Sequence, residues 1–172
     1  MTRCFGFLLV GAAAALWCGA TPRTTAAIEG KVVRVSDGDT VTVLDADKAQ
    51  HKIRLLDIDA PESSQAFGQK SKQHLADMVA GRDVRVTWTE KDPYGRVLGT
   101  VWVATTNANF RMVEDGYAWA YHYTKAKDYL DAMARAKAEK RGLWADPHAR
   151  DPWAYRKIKK GLPVPQKKGK AQ

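Results

Sequence analysis

Apolar and polar residues alternate from Lys31 to Ile58 with the period of two that marks β-strands. Val33 and Val35 lead to Asp37-Gly38-Asp39, Val41 and Val43 resume the pattern, and Ile53 to Ile58 follow a polar stretch from Asp45 to Gln50. The spacing predicts three consecutive antiparallel strands, with a turn at Asp37-Gly38 and a hairpin loop near Asp47. Pro61 stops the third strand. Residues 68–80 switch to helical spacing, with Ser71, Leu75, Met78 and Val79 on one face and Gly81 at the terminating position. Val84, Val86 and Trp88, then Val97, Gly99, Val101 and Val103, make two more strands around the turn signal Asp92-Pro93-Tyr94-Gly95. Helices near 107–115, with Phe110 and Val113 inward, and near 125–141 complete the order. The second carries Tyr129, Leu130, Met133 and Lys137 on one side and ends before Gly142. Five short strands are too few for a sandwich. The pattern predicts a mainly β chain with helices (α+β), a five-stranded OB-type barrel with three helices.

The two ends read differently. Arg3, an apolar run from Cys4 to Cys18, and small residues up to Ala27 have the layout of a cleaved secretory signal over residues 1–27. Cleavage there removes both cysteines and leaves a secreted or periplasmic protein with no membrane attachment; a retained N-terminal anchor is the alternative. The formal net charge is +9, from 28 Lys and Arg against 19 Asp and Glu. Residues 1–27 hold Arg3 and Arg23, and after Asp151 there are seven basic residues and no acid, so the body from 28 to 151 balances to zero. Bulk charge therefore does not make the barrel a nucleic-acid binder. The stretch 152–172, rich in Lys with Pro and Gly, reads as a flexible basic tail adding a salt-sensitive pull on polyanions. A charged fraction of 27% beside 45% apolar residues in 172 excludes a disordered chain and a multi-span membrane protein.

Four polar clusters could carry chemistry: Asp37-Gly38-Asp39-Thr40, Arg54, Asp59-Ala60-Pro61-Glu62 and Asp92-Pro93-Tyr94-Gly95-Arg96. Each has an ordinary explanation alone, as a hairpin turn, a cross-strand partner or a helix-start acid. Taken together, they put three acids and two arginines at strand ends that a small barrel brings side by side. Carboxylate oxygens of Asp39 and Asp59 are the hard donors that Ca²⁺ selects. Pro61 holds Ala60 extended, so its carbonyl can serve as a third oxygen. Glu62 is placed to act on a water, and two guanidiniums can grip a phosphate. That outlines a metal-assisted phosphodiesterase. Strict alternation, however, puts Asp57 and Asp59 on one face and Arg54 on the other, so a shared site requires the strand to twist, bulge or end near Ile58. The four histidines, His51, His74, His122 and His148, have no ligand spacing.

The strings Asp37-Gly38-Asp39-Thr40, Arg54 to Glu62, and Asp92 to Arg96, with Gly142-Leu143-Trp144 after the last helix, resemble the staphylococcal nuclease family over about Lys31 to Trp144. The resemblance implies a Ca²⁺-dependent hydrolase of DNA and RNA that leaves 3′-phosphate ends; no stable protein partner is implied, and a monomer is the default. It implies that Asp39, Asp59 and the Ala60 carbonyl hold the metal and that Glu62 acts on the attacking water. Arg54 and Arg96 would contact the phosphate, and Asp37 would tune the metal site. Tyr94, Tyr121 and Tyr123 would lie near the nucleotide, although packing alone also accounts for the last two. A non-catalytic nucleic-acid-binding barrel is the alternative, and it has no need for the acids and arginines together.

Overall fold

A computed structural model describes residues 26–164. Along the chain come β1 (Ala26–Asp37), β2 (Thr40–Asp45), β3 (Gln50–Leu55), β4 (Ile58–Asp59), helix α1 (Gly68–Val79), β5 (Asp83–Lys91), β6 (Val97–Val103) and β7 (Thr106–Asn107). Then follow α2 (Ala108–Glu114), β8 (Trp119–Ala120), α3 (Lys127–Ala138), a 3-10 turn (Gly142–Ala145) and α4 (Pro152–Lys159).

Five of the strands form the barrel, in the order β3-β2-β1-β5-β6, and a parallel pairing of β3 with β6 closes it. Every neighbouring pair inside that order is antiparallel. The long β1 serves both sides: Gly30 to Asp37 pairs with β2 and Ala26 to Lys31 with β5. Irregularities in its register after Val32 and Val35 bend it, as closure of so small a barrel requires. Val41, Val43, Ile53, Val86 and Val101 fill the interior, and Leu75 and Val79 of α1 with Met112 and Val113 of α2 cover one end. Burying side chains of this size contributes about 1.5–3 kcal/mol each, which is how a chain without a disulfide in its barrel holds its shape.

The OB-type barrel is the architecture that the alternation predicts, with four α-helices among the described residues rather than three. Three details differ from the pattern reading. In α3 the buried stripe is Tyr129, Ala132 and Ala136, while Leu130 is exposed and Lys137 lies over the Trp144 ring, 4.3 Å from its centre. Small alanines occupy the contact because α3 lies close against its neighbours, a choice that hydropathy alone does not favour. Ala26 and Ala27, which the reading puts in the leader, belong to β1; residues 1–25 lie outside the described residues. The chain after Asp151 is helical up to Lys159 where composition predicts a flexible tail. The Asp151 carboxylate caps that helix by accepting from Trp153 N at 2.8 Å, and Pro152 occupies its first turn, where its missing N–H costs nothing. Trp153 then stacks on His122, ring centres 5.0 Å apart and planes 7° apart.

Candidate functional site

At one end of the barrel lies a cleft of about 640 Å³, lined among others by Asp37, Asp39, Arg54, Glu62, Tyr94 and Arg96. Asp39 stands in the two-residue turn between β1 and β2. Its backbone N–H donates to Asp37 Oδ1 at 3.0 Å, an Asx turn that fixes the carboxylate's direction. Gly38 beside it lets α1 approach: a Cβ there would stand 2.0 Å from Ser71 Oγ and 2.8 Å from the Ala60 Cβ.

Arg54 enters from β3. Its Nη1 lies 2.9 Å from Asp39 Oδ2, and its Nη2 donates to Asp59 Oδ1 at 3.1 Å. The same guanidinium donates to the Ile58 carbonyl at 3.1 Å. Arg54 and Asp59 share a face because β3 ends at Leu55. Asp57, with φ of 63°, then turns the chain in the left-handed conformation that Asp tolerates better than most residues. That turn is held from three directions. Asn109, fully buried, donates from its amide to the carbonyls of Leu56 and Gly99, each at 3.0 Å. The Asp57 carbonyl accepts from Tyr121 N at 2.7 Å, and its carboxylate accepts from the Thr124 hydroxyl at 2.6 Å. The twist that the alternation demands is therefore a break between β3 and β4, and Asp57 makes it.

Asp39 is buried, and its two carboxylate oxygens are both engaged: Oδ1 accepts from the Thr40 hydroxyl at 3.0 Å and Oδ2 from Ala60 N at 2.8 Å. Burial pushes its pKa up to about 7; Arg54 pulls against this, Asp37 and Asp59 add to it, and the Ala60 N–H opposes it. The acids thus crowd a place that favours added positive charge. Asp59 is sequestered more deeply, with its side chain 3% exposed. Glu62 follows Pro61 in the loop before α1, its backbone N–H donating to Gln65 Oε1 at 3.3 Å.

The turn after β5 adds Tyr94 and Arg96 to the lining of the cleft. Asp92 organises it, accepting from Tyr94 N and Arg96 N at 2.9 Å each and from Arg96 Nε at 2.7 Å. Burial raises the Asp92 pKa, but those N–H groups and the Arg96 charge outweigh it and hold the group below the usual carboxylate range. Arg96 therefore lines the cleft while paired to its own turn, without touching Asp39, Asp59 or Glu62. Tyr94 is 85% exposed, with the Arg96 guanidinium 5.7 Å from its ring centre. Tyr121 lines the cleft; Tyr123, 68% exposed, stands behind it in an edge-on contact at 5.8 Å and is not part of the lining.

A further cation enters the site that the chain's pattern does not announce. Arg156 of α4 reaches Asp59 with both nitrogens, Nη2 to Oδ2 at 2.7 Å and Nη1 to Oδ1 at 3.1 Å, and gives Nη1 to Glu62 Oε1 at 2.8 Å. Burial lowers its basicity, yet the hydrogen bonds it donates to Asp59 and Glu62, with their charges, more than reverse this and hold it above the ordinary value. Asn109 is likewise unannounced: it sits on the helical stripe of α2 where an apolar residue is the usual choice.

The model of the family described as "Staphylococcal nuclease homologue" matches residues 52–146, more than half of the chain. The chain belongs to the staphylococcal nuclease family. Among its relatives, "Protein ParB" of Escherichia coli is 44% identical over 167 residues, covering 90% of this chain and 93% of that one. A "Micrococcal nuclease" of Shigella flexneri is 44% identical over 144 residues, covering 76% and 82%. An "Uncharacterized endonuclease" of Haemophilus influenzae is 46% identical over 131 residues, covering 76% and 74%. The segment that matches the staphylococcal nuclease family holds Arg54, Asp59, Glu62 and Arg96, with Asp39 just before it and α4 after it. It also holds Gly142-Leu143-Trp144. There Gly142, at φ of 53°, comes so close to Gly116 that a Cβ would stand 2.4 Å from the Gly116 carbonyl, which accepts from Leu143 N at 2.8 Å.

Proposed function

We propose that this chain is a Ca²⁺-dependent nuclease that hydrolyses phosphodiester bonds of single-stranded or breathing DNA and RNA, with little sequence preference, leaving 3′-phosphate ends. The observation that carries the reading is Arg54 bridging Asp39 and Asp59 at a cleft that Glu62 and Arg96 also line. A barrel that only bound nucleic acid would gain nothing from burying two carboxylates there.

The donor set suits a hard cation. Among the described residues no group of three or more Asp, Glu, His and Cys side chains forms a metal cage, so two carboxylates and the Ala60 carbonyl would be completed by water. Ca²⁺ takes six to eight oxygens and accepts such mixed sets. Bound there, Ca²⁺ would supply Lewis-acid polarisation of the phosphoryl oxygen. Asp39 and Asp59 would hold it, and Asp37 would keep Asp39 aimed. Glu62 would take a proton from the attacking water as its oxygen bonds to phosphorus and the bond to the 5′-oxygen breaks. Arg54 and Arg96 would stabilise the charge that grows on the phosphoryl oxygens. Tyr94 and Tyr121, which line the cleft, would meet sugar and base, with Tyr123 supporting Tyr121 edge-on, a contact open to unpaired strands because every base has a face to stack.

The leader-like order of Arg3, the apolar run from Cys4 to Cys18 and the small residues after it supports export to the periplasm or the medium. Among the described residues no helix is long and apolar enough to cross a membrane. Cleavage of single-stranded DNA and RNA by wild type and Glu62→Gln tests the mechanism. General-base loss predicts a drop of about 10²- to 10⁴-fold in kcat with Ca²⁺ present. An unchanged kcat removes Glu62 from the chemistry.

A further inference from the structure

Among the described residues, Arg156 is the one charged group in contact with Asp59 and Glu62 that none of the roles above uses. Its helix is seated independently of it. Trp153 stacks on His122, Tyr155 OH lies 3.1 Å from Ser64 Oγ, and Asp151 caps the helix, so the guanidinium can move while α4 stays in place. The side chain is 36% exposed, at the mouth rather than in the interior. What it covers is Asp59. Arg156 takes both oxygens of that carboxylate, Arg54 shares one of them, and Asp59 itself does not line the cleft although Asp39 does.

A cation entering the cleft therefore meets Asp39 first, and it gains Asp59 only when an oxygen there is released. Arg54 makes one bond to Asp59 and also holds the Leu55 and Ile58 carbonyls and Asp39, which fixes it in place. Among the described residues the Arg156 guanidinium pairs with Asp59 and Glu62 alone, so it is the group that can yield. A guanidinium chelating a carboxylate matches it in charge and shape, as a stand-in for the cation.

We propose that Arg156 is a displaceable positioning residue, which holds Asp59 and Glu62 in their site-facing poses without metal and competes with the divalent cation for Asp59. The inference rests on the metal site described above. Binding energy spent on displacing the guanidinium is lost from the observed affinity, so the wild type binds Ca²⁺ more weakly than its donor set allows. Isothermal titration of the full chain with CaCl₂ reads this directly, without turnover. For Arg156→Gln, the Kd for Ca²⁺ is expected to fall about tenfold, a difference of about 1.4 kcal/mol. Arg156→Lys keeps the charge but loses the two-point grip, and an intermediate Kd is expected. Lys160→Gln removes a charge from the cleft lining without touching the carboxylates, and a change below about threefold is expected from screened charge alone.

Equal or weaker Ca²⁺ binding in both Arg156 variants would overturn the proposal and leave the metal site standing. An effect of Lys160→Gln as large as that of Arg156→Gln would also overturn it, since net charge alone would then explain the shift. No Ca²⁺ binding by any of the proteins would bring down the metal site and this inference with it.

Discussion

At the scale of single residues, the site depends on charges that satisfy one another out of water. Arg54 neutralises Asp39 and Asp59 together, and removing it leaves the buried Asp39 carboxylate without a cation and Asp59 held by Arg156 alone. Breaking a buried pair costs about 3–5 kcal/mol, far more than its presence contributes relative to an apolar replacement. Arg54→Met is thus expected to lose about 3 kcal/mol of stability in metal-free buffer, measured as a lower urea midpoint, as well as activity. A midpoint equal to wild type would mean that the bridge carries no structural weight. Gly38 is the neutral counterpart. A Cβ there meets Ser71 Oγ and the Ala60 Cβ, so Gly38→Ala is expected to cost about 1–3 kcal/mol, and adding Ser71→Ala should return part of it. Strictly additive losses in the double variant would place the strain elsewhere. Of this residue-level picture, Asp39, Arg54, Asp59 and Glu62 were legible in the sequence, because acids and arginines at strand ends are conspicuous. Asp57 was legible only as a conflict: alternation put Arg54 and Asp59 on opposite faces, and a left-handed residue resolved it.

Among elements, legibility followed burial. β2, β3 and β6 alternate because one face meets the core, and their pattern survives in the sequence. α3 does not announce its face, since Ala132 and Ala136 are chosen for closeness rather than hydropathy. α4 was hidden by composition, as a lysine-rich stretch reads as solvated until Asp151-Pro152 is taken as a cap and first turn. Asp151→Ala should cost about 1 kcal/mol of local stability and speed amide exchange across 153–160. Unchanged exchange there would show that the Trp153–His122 stack alone seats the helix. α3 has its own pH signature. Burial pushes the Tyr129 phenol up from 10.0 to about 12, with Asn107 opposing and Asp57 and Asp128 adding. The unfolded chain therefore ionises first, and this group's contribution to stability declines as pH rises above 10 and levels off beyond about 12. Tyr129→Phe should flatten the fall in Tm between pH 9.5 and pH 11, roughly the window that the shift defines. An identical fall in the variant would assign alkaline unfolding to other groups.

For the whole molecule, the body from 28 to 151 is neutral, and seven of the nine excess positive charges follow Asp151, with Arg3 and Arg23 supplying the other two. Five strands were legible from local alternation; the parallel contact of β3 with β6 that closes them joins segments some forty residues apart and leaves no local trace. Closure is what brings the ends of β3 and β4 and the turn after β5 to one cleft, and so it is closure that turns scattered charges into a site. The most direct test of that site is the chemistry of the ends it makes. A defined single-stranded oligonucleotide incubated with the purified protein and analysed by mass spectrometry should give fragments ending in 3′-phosphate when Ca²⁺ is present. It should remain intact when Ca²⁺ is chelated. Fragments ending in 3′-hydroxyl, or cleavage undiminished by chelation, would contradict the account.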